Sequence, residues 1–159
     1  MKKLAILFLA LGIYACQNDN ESLNPENYLF SAEKNDEKWS GTTEIQLQAP
    51  DSDTLTLLFK ANNSNEVLWV KIKFDDTGSY PLKGGQAGFY STAGGDGITS
   101  RYGMSAGDLG QLVVTKYNPA QKLIEGTFDV SLTKQYANPE NNIDFLKFSS
   151  GCFKWKLLK

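Results

Sequence analysis

Residues 54–74, which read TLTLLFKANNSNEVLWVKIKF, decide the fold. Every second residue is apolar in 54–59 and again in 68–74, and the positions between them are mostly polar. A period of two with one apolar face is typical of antiparallel strands that cover a core on one side. The polar run NNSN at 62–65 favours a turn, because asparagine side chains hydrogen-bond their own backbone. The stretch therefore predicts a β-hairpin with a one-sided core.

The same alternation recurs at 127–132 and 153–157, and no helical pattern of ten or more residues appears. Short strand-like segments separated by turn residues predict an all-β fold, a single antiparallel meander domain of about nine or ten strands. It would close as a β-sandwich or a flattened barrel, and the sequence does not choose between them. The predicted strands are Tyr28–Ala32, Trp39–Leu47, Thr54–Ala61, Val67–Phe74, Ser79–Leu82, Gly88–Thr92, Ile98–Tyr102, Gln111–Tyr117, Leu123–Leu132 and Ile143–Leu157.

The N-terminus has the pattern of an export signal. Lys2 and Lys3 precede the apolar run Leu4–Ala15, which is too short to span a bilayer as a helix of about 20 residues. Residues 13–16, Ile-Tyr-Ala-Cys, resemble the lipobox of bacterial lipoproteins. The resemblance implies that residues 1–15 are a signal peptide and that Cys16 receives a diacylglycerol on sulfur. Two or three acyl chains would anchor the protein stably.

Residues 16–27 would then be the lipidated cysteine and a flexible polar tether, and residues 28–159 the all-β domain. The tether begins QNDNE (17–21), which resembles the acidic segment behind the lipid cysteine in lipoproteins of Bacteroidota. That resemblance implies an outer-membrane protein displayed at the cell surface. A domain facing the periplasm is the alternative.

Composition limits the chemistry and the partners. Loss of Lys2 and Lys3 with the signal takes the formal net charge from −2 to −4, which argues against nucleic acid as a partner. The chain has no histidine, so a Ser-His-Asp or Cys-His arrangement is excluded. Paired-carboxylate chemistry remains open in principle. The sequence predicts no catalytic residue, no metal ligand and no cofactor.

The second cysteine, Cys152, lies in a strand-like segment, Gly151-Cys152-Phe153. A reactive thiol or an intermolecular link are alternatives for an exported cysteine. The neighbours favour a small buried apolar side chain.

The middle of the domain has a different composition from the rest. Ten of the fourteen glycines lie between Gly78 and Gly110, interleaved with aromatic residues and the chain's single arginine. Such a region could bind a flat ligand or a sugar by ring stacking. The alternative is that the glycines mark long hairpins and the aromatics are core or cross-strand pairs. The candidate ligand residues are Tyr80, Phe89, Tyr90, Arg101 and Tyr102.

The domain contains five short motifs: Phe30-Ser31-Ala32 followed by Trp39, Gly78-Ser79-Tyr80-Pro81-Leu82, Val113–Lys116, Leu123–Phe128 and Ser150–Phe153. Together they resemble a family of small Bacteroidota lipoproteins whose domain has no known function. The resemblance covers most of residues 28–158 and implies an all-β lipoprotein, with no catalytic residues to carry over. Phe30, Trp39, Phe128 and Phe153 would be core residues, and Gly126 and Gly151 bends.

These observations predict a lipid-anchored outer-membrane domain with a binding or accessory role and no catalysis. Its partners would be the membrane, through acyl chains on Cys16, an outer-membrane protein, and a small-molecule or glycan ligand. Three alternatives stay open at this point: a lipocalin-like carrier of a small apolar ligand, a glycan-acting enzyme with two carboxylates, and an inhibitor or immunity lipoprotein.

Overall fold

The computed structural model describes residues 29–47, 53–63 and 65–156, so the predicted signal peptide, lipobox and tether lie outside the described residues. No helix in the described ranges is long and apolar enough to cross a membrane. The strands are β1 (Leu29–Lys34), β2 (Glu37–Leu47), β3 (Thr54–Ala61), β4 (Glu66–Lys73), β5 (Gly78–Leu82), β6 (Ala87–Ala93), β7 (Gly97–Gly103), β8 (Gly110–Asn118), β9 (Leu123–Ala137) and β10 (Phe145–Lys156).

All ten strands belong to one antiparallel sheet, and eight of them form a closed ring. The ring runs β10-β1-β2-β3-β4-β6-β7-β9 and returns to β10. The long strand β9 makes this closure possible. One of its edges pairs with β10, while the other pairs first with β8 and then, over 133–137, with β7. The prediction of an all-β antiparallel domain is confirmed.

Strand β5 departs from a simple meander. Strands β1 to β4 follow one another as hairpins, but β4 then pairs with β6, and β5 pairs with β8. Pro81 fits this position, because proline has no backbone N–H to donate and is tolerated at a sheet edge. The ring of Tyr117 on β8 packs edge-on against Phe74, which follows β4, with centroids 4.9 Å apart. This contact links β8 to the end of β4.

The inside of the ring is filled by aromatic and aliphatic side chains. Phe59 stacks on Phe128 with ring centroids 4.4 Å apart, and Trp39 lies 4.9 Å from Phe148. The four predicted core residues Phe30, Trp39, Phe128 and Phe153 are all buried, as the period-two pattern requires. Other buried side chains are Leu55, Leu57, Leu68, Val70, Ile72, Phe89, Tyr102, Leu112, Val114, Val130, Leu132 and Leu146.

The last strand has an irregularity next to Gly151, where the sequence predicted a bend. The pairing of β10 with β9 shifts register between Phe148 and Gly151, and Ser150 adopts a φ of 53°. A Cβ on Gly151 would lie 2.6 Å from the carbonyl oxygen of Phe128, so this position needs glycine. Cys152, the next residue, is half-buried and lies opposite Ser31 of β1. Its side chain is therefore less buried than expected.

Lys134 makes several contacts with the loop between β9 and β10. The Lys134 amine forms ion pairs with Glu140 at 2.6 Å and Asp144 at 3.0 Å, and it donates to the carbonyl of Asn141. The pKa of Lys134 is raised, mainly by the hydrogen bond to Glu140 and next by the one to Asp144. Close by, the Tyr102 hydroxyl donates to the carbonyl of Ile143 at 3.0 Å. Lys134 and Tyr102 thus both tie the loop to the ring, and the backbone N–H of Asn138 adds a hydrogen bond to the carbonyl of Thr99 at 2.8 Å.

Candidate functional site

The structure separates the five candidate ligand residues into three groups. Tyr90 on β6 and Arg101 on β7 are directly opposite each other and face outward. Phe89 and Tyr102, their neighbours in sequence, also face each other but lie inside the ring, each 3% exposed. Successive side chains of a strand point to opposite faces, so only one side chain of each neighbouring pair points outward, although Tyr102 is also among the residues that line a hollow on the outside of the ring.

Tyr80 lies apart from the other candidates, on β5. Its hydroxyl accepts hydrogen bonds from the backbone N–H groups of Asp75 and Asp76 and donates to the carbonyl of Asp76. Its ring packs against Phe74 with centroids 6.2 Å apart. All of these contacts stabilise the turn that precedes β5, so the role that the structure gives Tyr80 is in the scaffold.

Tyr90 and Arg101 belong to a row of outward-facing positions that crosses six strands. Pairing across the ladders places Thr42 beside Lys60, Lys60 beside Val67, and Val67 beside Tyr90. Arg101 follows Tyr90 and has Tyr136 of β9 as its other neighbour. The row combines two tyrosines with two cationic side chains on the outside of the ring.

The adjacent row is formed by a tryptophan and two glycines. Trp69, Gly88 and Gly103 are successive partners on β4, β6 and β7. A Cβ on Gly88 would lie 2.7 Å from the indole of Trp69, and one on Gly103 would lie 2.3 Å from the side-chain amide of Gln135. The glycines therefore let the indole and the amide lie directly on the backbone, and they leave the surface low between these two side chains.

Two hollows open on this face, and Tyr90 lines both. We call the two together the outer groove. The first has a volume of about 520 Å³ and is lined by residues that include Glu44, Lys60 and Val67. The second has a volume of about 330 Å³ and is lined by residues that include Trp69, Arg101 and Gln135. The ring of Tyr90 is thus a partition between two neighbouring depressions.

The polar groups of the two hollows differ in their state of pairing. In the first, the Lys60 amine forms an ion pair with Glu44 at 2.7 Å. In the second, the side chains of Trp69, Arg101 and Gln135 make no hydrogen bond or ion pair with any described residue. Among the described residues that line the second hollow, Arg101 is also the one that carries a charge. This hollow is therefore positively charged and rich in unused donors.

This donor set is suited to holding a ligand. Of the described residues that line the two hollows, Glu44 alone carries a carboxylate. Hydrolysis of a glycosidic bond by the two-carboxylate route requires two of them. No group of three or more Cys, Asp or Glu side chains within the described residues could hold a metal ion. The chemistry present in the groove is ring stacking, hydrogen bonding and ion pairing.

A second polar cluster is formed by side chains of β1, β2 and β4. The Lys34 amine forms an ion pair with Glu66, and the Trp39 indole donates to the other oxygen of Glu66 at 2.8 Å. The same amine lies 5.4 Å from the ring centroid of Phe89, within the range of a cation–π interaction. Because each charged group already has partners inside the protein, this cluster is a structural one.

Sequence reasoning did not identify Trp69, Gln135 and Tyr136. Trp69 did carry a signal, since it occupies the outward face of a strand whose other face is Leu68, Val70 and Ile72. A large aromatic residue on the solvent side of an alternating strand is a reason to look for a ligand. Gln135 and Tyr136 lie beyond the predicted end of their strand, where the sequence has no alternation.

The fold and the groove define an all-β domain whose strands close in a ring, with an outer groove that is aromatic and positively charged at one end. A family model described as Domain of unknown function (DUF6252) matches residues 26–155. The chain therefore belongs to this family, in agreement with the resemblance to a family without known function. No curated protein and no solved structure matches the chain.

Proposed function

We propose that this protein is a lipid-anchored, non-catalytic binding domain of the bacterial outer membrane, and that it holds its ligand in the outer groove. The observation that carries the proposal is the second hollow, where Trp69, Arg101 and Gln135 surround a depression and leave their donors unpaired. Unpaired convergent polar groups beside aromatic faces are the usual composition of a ligand site.

The rival functions receive less support from the same structure. A carrier of a small apolar ligand needs space inside the ring, whereas the rings of Phe128 and Phe153 lie there with centroids 4.4 and 5.7 Å from that of Phe59. An enzyme that acts on glycans through two acids needs a carboxylate pair in a cleft, and the outer groove contributes Glu44 alone from its described lining. No observation favours an inhibitor or immunity role.

The groove is tested by replacing Tyr90, which lines both of its hollows. Tyr90→Ala is expected to weaken ligand binding about tenfold or more, because one aromatic anchor typically carries a large share of the binding energy. The measurement is a screen of neutral saccharides, acidic saccharides and planar aromatic compounds, followed by calorimetric titration of each hit against both proteins.

Tyr117→Ala is the matched control, because this half-exposed tyrosine lies on β8 outside both hollows. The Tyr117→Ala variant should bind each hit with the affinity of the native protein. Circular dichroism should report the same fold for the native protein and both variants. Two results would contradict the proposal: a library in which nothing binds, or a Tyr90→Ala variant that binds every hit as tightly as the native protein.

The anchor is tested at the predicted lipid cysteine. Cys16→Ala is expected to move the protein from the membrane fraction to the soluble fraction, because an alanine cannot accept the diacylglycerol that gives stable binding. Fractionation with detection by antibody measures this, and Cys152→Ser, which leaves the lipobox intact, should stay in the membrane. Retention of Cys16→Ala in the membrane fraction would show that the anchor lies elsewhere.

Protease treatment of the same cells shows on which side of the outer membrane the domain lies. Protease added to intact cells should remove the native protein if it is displayed at the surface, as the acidic tether predicts. Protection until the outer membrane is broken would place the domain in the periplasm, and the ligand search would turn to the cell envelope.

A further inference from the structure

The charge of the outer groove is concentrated at one end. In the first hollow, Lys60 is neutralised by Glu44, while in the second Arg101 has no carboxylate partner among the described residues. The protein as a whole is acidic, with a formal net charge of −2 over the full sequence. An unpaired guanidinium on an acidic protein marks a local preference for an anionic group. Its planar fork of donors suits a carboxylate, which it can bind through two parallel hydrogen bonds.

The shape of the groove indicates what carries the anion. Tyr90 and Trp69 border the second hollow, and their rings present faces of negative potential that attract C–H groups. A sugar ring has one face of C–H groups and a rim of hydroxyls. The rim would meet the amide of Gln135, the indole N–H of Trp69 and the Tyr90 hydroxyl, none of which is used by the described residues.

The two hollows also match a chain of linked units better than one small molecule. They are neighbours that share Tyr90, with volumes of about 520 and 330 Å³. Both are open on the outside of the ring, so a chain could continue past either end. The first hollow, with its internal ion pair of Lys60 and Glu44, would accept a neutral unit. The second, with Arg101, would accept a charged one.

We infer that the ligand of the outer groove is an acidic oligosaccharide whose carboxylated sugar lies in the second hollow with its carboxylate on Arg101. This inference rests on the proposed function and names the chemical class of its ligand. Tyr90 and Trp69 bind sugar rings, Gln135 binds hydroxyls, and Arg101 selects for the carboxylate. The last of these roles separates the inference from the proposed function, which requires no particular charge.

The test compares matched probes that differ only in charge. Oligomers of galacturonic acid, oligomers of mannuronic acid and sialyllactose are titrated by calorimetry, each beside its methyl ester. At least one acid should bind the native protein about tenfold or more tightly than its ester, since a charge-assisted pair is about twice as strong as a neutral hydrogen bond. Arg101→Gln should remove that preference, so that the variant binds acid and ester with equal affinity.

Lys147→Gln is the control for loss of one positive charge, because Lys147 is exposed on β10 outside both hollows. It should keep the full preference for the acid. Equal binding of acid and ester, or an Arg101→Gln variant that still prefers the acid, would overturn the inference while the groove remains a saccharide site. Binding of no acidic probe, with Tyr90-dependent binding of neutral or planar compounds in the library, would overturn the inference alone. Failure of the whole library would overturn the proposed function as well.

Discussion

Replacement of Phe59 by alanine is expected to lower the free energy of unfolding by about 3–5 kcal/mol, the usual cost of removing a buried aromatic ring from a packed core. Phe59 is fully buried at the centre of the ring of strands. It stacks on Phe128 and meets Phe30 and Phe153 edge-on, with ring centroids 4.4–5.7 Å apart. Alanine would leave a cavity among these three rings, which the closed ladder of strands cannot collapse to fill.

The measurement is urea unfolding at neutral pH, followed by circular dichroism and tryptophan fluorescence. Since the stability of a domain is only about 5–15 kcal/mol, the variant should unfold at a much lower urea concentration. Leu109→Ala is the matched control, because Leu109 is 81% exposed and its loss should change stability by less than about 0.5 kcal/mol. Similar midpoints for the two variants would show that the aromatic cluster does not carry the stability of the fold.

Gly126→Ala is expected to destabilise the domain by overpacking, by about 1–3 kcal/mol or more. Gly126 lies on β9 between Val114 of β8 and Phe153 of β10. An added Cβ would lie 2.1 Å from the carbonyl oxygen of Val113 and 2.7 Å from the ring of Phe153. Because one of these contacts is backbone, relief requires that the strands move apart where three of them meet.

Gly97→Ala is the control for this substitution. Gly97 also lies in a strand, β7, but a Cβ there would meet nothing within 4 Å. The same change of residue should therefore leave the unfolding midpoint close to the native one, or raise it slightly by restricting the unfolded chain. Equal midpoints for Gly126→Ala and Gly97→Ala would show that β8, β9 and β10 can absorb a methyl group without cost.

The strands themselves could be predicted because their signal is local. In β3 and β4 every second residue is apolar, most of the residues between are polar, and turn residues mark both ends of the hairpin. Asn63 confirms the expected turn chemistry, since its side-chain oxygen accepts a hydrogen bond from the N–H of Asn65. The last five residues of β9 were not predicted. Its residues 133–137 are mostly polar and become a strand because they pair with β7.

The candidate site was located in part. The glycine- and aromatic-rich middle of the chain does contribute Tyr90, Arg101 and Gly103 to the outer groove. The same region also supplied the candidates Phe89 and Tyr102. Their side chains are buried in the core, because successive side chains of a strand point to opposite faces. Trp69 and Gln135 come from other parts of the chain, and only the register between strands brings them to the groove.

The sequence by itself determined most of the antiparallel strands, the core-facing residues of β3 and β4, and the turn at Asn62–Asn65, because side-chain alternation and turn chemistry act over a few residues. Tertiary structure alone decided that β5 pairs with β8 and not with β4, and that β9 closes the ring. It also decided that Trp69, Gly88 and Gly103 lie side by side. Such neighbours are fixed by hydrogen-bond register between strands distant in sequence, and no local pattern records that register.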